Sequence, residues 1–170
     1  MDHFARLGLP AALDLEPASL DRAYFALQRQ WHPDRFVAKP AAERAKASAE
    51  AAALNDAYRT LKDPLSRAVY FAELKGVELP GDGKTIDDPE LLMEAMDARE
   101  ELHDAASPEA IDALAAKART DMNASLEGLG GLFLAGDKPA IRKALLRLRY
   151  LDKFAEEARA RRMNIERSNA

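Results

Sequence analysis

The chain has 170 residues, 48% of them hydrophobic and 32% charged, with a formal net charge of -4. That length holds one good core or two small ones, and that balance belongs to a folded chain rather than a disordered one. The lack of cysteine excludes disulfides, thiol catalysis and thiolate metal sites, and the negative charge argues against nucleic acid as a ligand.

The opening MDHFARLGLP has neither the basic start nor the apolar run of a signal peptide, and no stretch approaches the ~18 apolar residues of a membrane span. A cytoplasmic protein is expected. A short helix is predicted around Phe4 and Leu7. Leu20, Tyr24, Leu27 and Trp31 then recur at the spacing of one helical stripe, with Ser19 or the PAS turn to start it. A second stripe, Ala47, Ala51, Leu54, Tyr58 and Leu61, runs through ERAKASAEAAALNDAYRTL. Another helix covers SRAVYFAEL. Pro33 and Pro40 bound the connection HPDRFVAKPAA. The expected unit is a small helical domain built on an antiparallel hairpin.

Composition changes at GVELPGDGKTIDDPE (76–90). Through Lys75 there are 11 Lys+Arg against 10 Asp+Glu, a net of +1; from Gly76 onward there are 14 against 19, a net of -5. Beyond this divide three helices are predicted, at 88–105, 108–127 and 138–163, with Pro89, Pro108 and Pro139 in their first turns. GLGGLFLAGDKP is expected to be a glycine-broken hinge before the last helix. Ile141, Leu145, Leu148 and Leu151, with Ala144 beside them, supply that helix with an apolar face. Short connections favour an up-down-up bundle.

Several short motifs carry no function. GDGKT (81–85) has the tail of a phosphate loop, but the position five residues before Gly83 is Glu78 and no strand precedes it. The NAS triplet at Asn123 lacks the secretory context a glycan needs. His3, His32 and His103 stand in no multi-ligand arrangement. Glu100, Glu101 and Asp104 read as a solvated helix face, with no pocket to part their pKa values.

LQRQWHPDRF (27–36) is more informative. Pro33 pushes His32 out of helical geometry, so His32, Pro33 and Asp34 occupy the exposed bend of the hairpin. No nucleophile or oxyanion site accompanies them. On the residues alone, two readings stand: a proline-stopped helix with a solvated turn, or a protein-docking tip. Arg22 and Arg29, seven positions apart on one helix face, make the tip suited to an acidic protein surface. Trp31 belongs either to the core stripe or to that tip.

WHPDRF, preceded by LDRAYFALQRQ and followed by LNDAYRTLKDPLSRAVY, resembles the J domain of J-type co-chaperones over residues 1–75. The resemblance implies that His32, Pro33 and Asp34, with Arg22, Arg29 and Arg35 supplying positive charge, dock on a DnaK-type chaperone and promote its ATP hydrolysis. The chain itself would be no enzyme, and His32 a contact rather than a general base.

In ELLMEAMDAREELHD, Leu91, Ala95, Ala98 and Leu102 form a narrow inward stripe. Leu92 and Met96 lie about 100° round the helix from it, and Met93 farther round, beside Asp97, Glu100 and Asp104. This shoulder is either a wider core contact or an adaptable methionine-bearing docking surface.

The whole chain is similar to the HscB family of iron–sulfur assembly co-chaperones, on MDHFARLGLP, LKDPLSRAVYFAELKG, ELLMEAMDAREEL and RKALLRLRYLDKF. The resemblance implies an all-α, L-shaped two-module protein: a J domain at 1–75, a linker at 76–87 and a three-helix bundle at 88–170. The bundle would bind the scaffold protein IscU through Leu92, Met93, Met96, Asp97, Glu100, Asp104 and Tyr150 and deliver it to the chaperone HscA. Leucine is usual at Met96, glutamate at Asp97 and Asp104, and phenylalanine at Tyr150. These departures keep apolar or acidic character, so they bear on affinity and geometry rather than on the partner. No catalytic residue, metal or cofactor is implied, and neither nucleic acid nor membrane as partner. The rival reading is a general J-domain adaptor that brings another client.

Overall fold

The computed structural model describes residues 1–81 and 83–169. Asp82, which falls in the 76–87 linker and in GDGKT, and Ala170, the end of the 88–170 range, lie outside the described residues. The described residues form seven α-helices and one 3-10 turn, with no strand. Met1–Leu74 and Lys75–Ala170 are two compact units. Among the described residues no helix is long and apolar enough to cross a membrane.

In the first unit, α1 (His3–Arg6) and α2 (Pro17–Trp31) precede a 3-10 turn at Pro33–Phe36, and α3 (Ala41–Lys62) and α4 (Pro64–Leu74) follow it. Helix α2 opens with Pro17 in its first turn and stops at His32, whose extended φ/ψ of -60°/129° is what a following proline imposes. Helices α2 and α3 run antiparallel. The Tyr58 hydroxyl donates to Asp21 (2.8 Å) near the start of α2, the Tyr24 hydroxyl donates to Asn55 (2.6 Å), and Lys46 lies over the Trp31 ring at its end.

Alanine makes that pairing close. Ala47, Ala51 and Ala57 are buried beside Leu54 and Leu61 on α3, so small side chains alternate with leucine along the contact face. Ala57 extends the predicted stripe. Arg67 of α4 ties the unit together by donating to the carbonyls of Leu13 and Leu61, at 2.8 Å each. Helix α1 is short, and Leu7 lies just past its end, but Phe4 and Leu7 are both buried.

Tyr24 is not fully inside. It is half-buried and stacks on Tyr58 instead of entering the aliphatic core. Its position on the stripe follows from the helical period, but its phenol needs a polar partner and finds one at the unit's edge.

The second unit contains α5 (Pro89–Asp104), α6 (Pro108–Ala135) and α7 (Lys138–Asn169). All three helices start in the same way: the carboxylate or hydroxyl of Asp88, Ser107 and Asp137 accepts the N–H of Leu91, Ala110 and Ala140 at 3.1 Å, and a proline sits in the first turn, where its missing donor does no harm. Ion pairs give the direction of packing. Glu90 meets Lys143, Glu94 meets Arg147 and Glu157 meets Arg99, so α5 and α7 are parallel, and α6 runs antiparallel against α7, its Asp112 paired with Arg162: up, down, up.

The core of this unit joins Leu102, Ile111, Ala118, Leu151, Phe154 and Ala158. Leu91, Leu145 and Leu148 are also completely buried. Burial stabilises each of the larger side chains by about 1.5–3 kcal/mol. Residues ahead of α5 are fastened as well: Val77 is buried, Arg142 donates to the Glu78 carbonyl and pairs with Asp87, and Arg149 donates to the Pro80 carbonyl.

The expected glycine hinge is overturned. Helix α6 runs through Gly128, Gly130 and Gly131 to Ala135, and the break comes only at Gly136. A helical glycine costs about 1 kcal/mol relative to alanine, and burial of Leu129 at 1% exposure offsets part of that here. Gly136, at φ +66°, has the left-handed geometry that closes a helix, its N–H bonding back to Phe133. The last helix also runs six residues beyond the predicted 163.

Candidate functional site

The tip of the first unit is shaped by the residues that flank it. Pro33, Asp34 and Arg35 turn in a 3-10 arc, and Trp31 and Phe36 clamp its base with ring planes 4° apart at 6.0 Å. Trp31 is half-buried and so belongs to both stripe and tip. His32 Nδ1 accepts the Asp34 N–H at 3.3 Å, which braces the bend across Pro33. The Asp34 carboxylate is 87% exposed and 3.6 Å from the same ring nitrogen. His32, Pro33 and Asp34 therefore face water on a short, braced turn.

The three basic residues near the tip behave differently. Arg29 is exposed and has no ion-pair partner among the described residues. Arg22 leans on Glu16 (3.6 Å) and donates to Ser19 (2.9 Å). Arg35 reaches back to donate to the Arg29 carbonyl at 3.0 Å, so it caps α2 and locks the tip to it. A shallow groove beside the tip is lined by Pro33, Val37, Ala41, Arg44, Ala45 and Ser48.

In the second unit, α5 turns Leu91 and Leu102 inward and keeps Ala95 and Ala98 half-buried. Leu92, Met93, Met96, Asp97, Glu100 and Asp104 occupy the other side. Met93 is 66% and Met96 61% exposed, while Leu92 is half-buried at the margin. Asp97 and Glu100 have no ion-pair partner among the described residues, and Asp104 lies 3.3 Å from His103. The apolar shoulder thus faces solvent, bordered by available carboxylates.

Tyr150 is placed differently. It packs half-buried against the Leu102–Phe154 core, and its hydroxyl donates to Glu94 at 3.0 Å. Glu94 sits 200° from Leu92 round an ideal helix but is the i-3 neighbour of Asp97. The structure therefore attaches Tyr150 at the acidic edge of the α5 face, across the helix from Leu92. Glu94 also takes two bonds from Arg147, at 3.1 and 2.8 Å. This holds its carboxyl below the ordinary range, while burial and the bond to Glu94 push the Tyr150 phenol up to about 12.

Two units, one ending in a braced His-Pro-Asp tip and the other bearing an acidic-rimmed apolar helix face, match known families in the same order. The DnaJ domain family matches residues 2–70, and the family described as the HSCB C-terminal oligomerisation domain matches residues 87–159. The co-chaperone protein HscB homolog of Burkholderia multivorans is 41% identical over 167 residues, covering 96% of this chain and 95% of that protein. The chain belongs to the HscB family of J-domain co-chaperones.

Solved structures agree. Chaperone HscB from Vibrio cholerae superposes with a TM-score of 0.84 at 34% identity, over 97% of this chain and 99% of that one. The human co-chaperone protein HscB gives 0.88 at 26% identity, over 96% and 83%. The all-α architecture of an N-terminal J domain and a C-terminal helical bundle is thus that of the HscB family.

Sequence reasoning passed over two features of this HscB-family chain. Phe25, 54% exposed, shares the outward face of α2 with Arg22 and Arg29; its i+3 and i-4 spacing to them was available to find it. Glu94 and Arg147 join α5 to α7, and the matched i,i+4 pairs Glu90/Glu94 and Lys143/Arg147 carried that signal.

Proposed function

We propose that this chain binds the iron–sulfur scaffold protein IscU on α5, presents it to the DnaK-type chaperone HscA and stimulates that chaperone's ATPase through the His-Pro-Asp tip during cluster assembly. The observation that carries this reading is the division of carboxylates along α5. Glu90 and Glu94 are held by Lys143 and Arg147 of α7, whereas Asp97 and Glu100 remain unpaired beside exposed Met93 and Met96. Unpaired acids round an apolar centre can steer a basic-rimmed partner to an adaptable contact.

At the other end, Asp34 offers a carboxylate for a charge-assisted bond, and Arg29 offers an unpaired cation. The tip is a short, exposed turn beside a shallow groove. It acts by contact, and the chemistry belongs to the partner. Within the HscB family the pairing of both surfaces in one chain couples client capture to ATP turnover.

Two measurements test this. Calorimetric titration with purified IscU should show binding by the wild-type chain. Single-turnover ATP hydrolysis by HscA should be accelerated by wild type and not by Asp34→Ala, whose circular dichroism should be unchanged because Asp34 is so exposed. A folded Asp34→Ala protein with full stimulation would defeat the tip assignment. Wild-type stimulation without any IscU binding would instead leave a J-domain adaptor for a different client.

A further inference from the structure

We infer that Phe25 is an apolar anchor of the chaperone-docking face, seated in an apolar pocket of the DnaK-type partner while Arg22 and Arg29 meet carboxylates at that pocket's rim. This rests on the docking role proposed for α2 and the tip. A single exposed apolar residue ordinarily needs no explanation. Three observations separate Phe25 from that background.

The first is position. Arg22, Phe25, Ala26 and Arg29 follow i, i+3, i+4, i+7 on α2, opposite the Leu20–Leu27–Trp31 stripe, so Phe25 sits between two arginine positions on the outward face. An aromatic group with arginines round it is the composition of an interface centre, where a few such residues carry most of the binding energy.

The second is support. The Phe25 ring meets Tyr24 at 5.2 Å and 60°, and lies 6.5 Å from Tyr58 across the hairpin. A ring held on one side has less rotational freedom to lose when a partner covers the other, so more of its burial appears as affinity.

The third is continuity. His32 lies seven positions beyond Phe25, a rise of about 10 Å along the helix. Arg35 fixes the end of α2 to the tip through the Arg29 carbonyl. One rigid element therefore presents ring, cation and tip together, within the ~800 Å² that each partner contributes to a standard interface. Charge alone would attract many acidic surfaces. A ring that must find a pocket adds a shape requirement, and with it selectivity among DnaK-type chaperones.

The test is ATPase stimulation of purified HscA, titrated with wild type, Phe25→Ala, Phe25→Gln and Asp34→Ala. Both Phe25 variants should raise the half-maximal concentration by about fivefold or more, the range expected when an interface contributor is truncated. Stimulation at saturation should stay at the wild-type level, because the tip is intact. Their salt dependence should match wild type, since no charge is removed, whereas Arg29→Ala should flatten it. Half-maximal concentrations within about twofold of wild type, with Asp34→Ala inactive, would overturn the Phe25 anchor alone. A fully active Asp34→Ala would overturn the docking reading beneath it. Loss of helicity in both Phe25 variants would make the ring a structural element of the hairpin and also overturn the anchor.

Discussion

Tyr24 of α2 and Tyr58 of α3 lie face to face, with ring centroids 4.1 Å apart and planes 18° from parallel. Each phenol is used: Tyr58 donates to Asp21 at 2.8 Å and Tyr24 to Asn55 at 2.6 Å, with Lys62 over the Tyr58 ring. The stack joins the hairpin beyond Ala47 and Ala51, on the side away from the tip. Both rings keep an edge in water. Truncation of a fully buried aromatic costs about 3–5 kcal/mol, so Tyr24→Ala should lose less, about 2 kcal/mol. Tyr24→Phe keeps the stack and gives up the hydroxyl's bonds to Asn55 and Gln28 at the unit's edge, for about 1 kcal/mol. Urea unfolding separates the two. A Tyr24→Ala loss no larger than that of Tyr24→Phe would show that the stack does not hold the hairpin.

Glycines in and after α6 should respond in opposite directions to the same substitution. At Gly131 the backbone is helical, the position is exposed, and an added Cβ would meet nothing within 4 Å. Gly131→Ala should stabilise the chain by about 0.5–1 kcal/mol, because alanine restricts the unfolded state without strain. At Gly136 the space is equally open, but φ is +66°. An L side chain there costs about 1–2 kcal/mol, so Gly136→Ala should destabilise. Denaturant midpoints of the two variants give the comparison. Equal shifts of one sign would mean that the turn relaxes on substitution.

The attachment of α5 to α7 should weaken at both ends of the pH scale. Arg147 holds the Glu94 carboxyl below its ordinary value of 4.5. The unfolded chain therefore takes up that proton first as pH falls. The contribution is present above the ordinary value and is lost as pH drops through the folded one. Tyr150 has the opposite sign. Its phenol, normally near 10.0 and pushed up to about 12 by burial and by Glu94, keeps its proton more firmly when folded. That contribution is complete below the ordinary value and is lost as pH climbs toward the raised one. Glu94→Gln should flatten the acid limb of a stability–pH curve, and Tyr150→Phe the alkaline limb. Urea midpoints across the range measure both. A Tyr150→Phe curve parallel to wild type above pH 10 would uncouple the phenol from folding.

Local rules made much of this fold legible, and tertiary ones hid the rest. Pro33 forbids a helix through His32 whatever packs nearby, so the tip could be read directly. Asp88-Pro89 and Ser107-Pro108 announce α5 and α6 in the same way. The glycines of α6 misled because their cost is local, whereas burial of Leu129 and the closing turn at Gly136 are not. At the candidate sites the helical period assigned faces correctly: Leu91 and Leu102 in, Met93 and Met96 out. It did not supply the partner of a side chain on another helix. That is why Arg35 as a cap on α2, and the bond from Tyr150 to Glu94, emerge only with the register of the packed elements.

Client binding is the sharpest test of the α5 face. Met93 and Met96 are mostly exposed and Leu92 lies at the margin of the core, so replacing all three with alanine removes apolar contact area while leaving Leu91 and Leu102 to hold the helix. Alanine is also the best helix former, and gains at the two methionine positions offset part of what Leu92 loses. Leu92→Ala, Met93→Ala, Met96→Ala should therefore stay folded and bind IscU at least about tenfold more weakly, which is about 1.4 kcal/mol. Its stimulation of HscA in the absence of IscU should match wild type, because Asp34, Arg29 and the braced tip belong to the other compact unit. Asp97→Asn with Glu100→Gln should act differently. These changes leave the apolar shoulder intact and remove charge that has no partner within the chain, so they should slow association and weaken its salt dependence more than they speed dissociation. Calorimetry, stopped-flow association at two ionic strengths and ATP turnover without IscU read these effects separately. Unchanged IscU affinity in the triple variant would sink the client-site assignment; loss of helicity together with both activities would put Leu92 and its neighbours in the structural core.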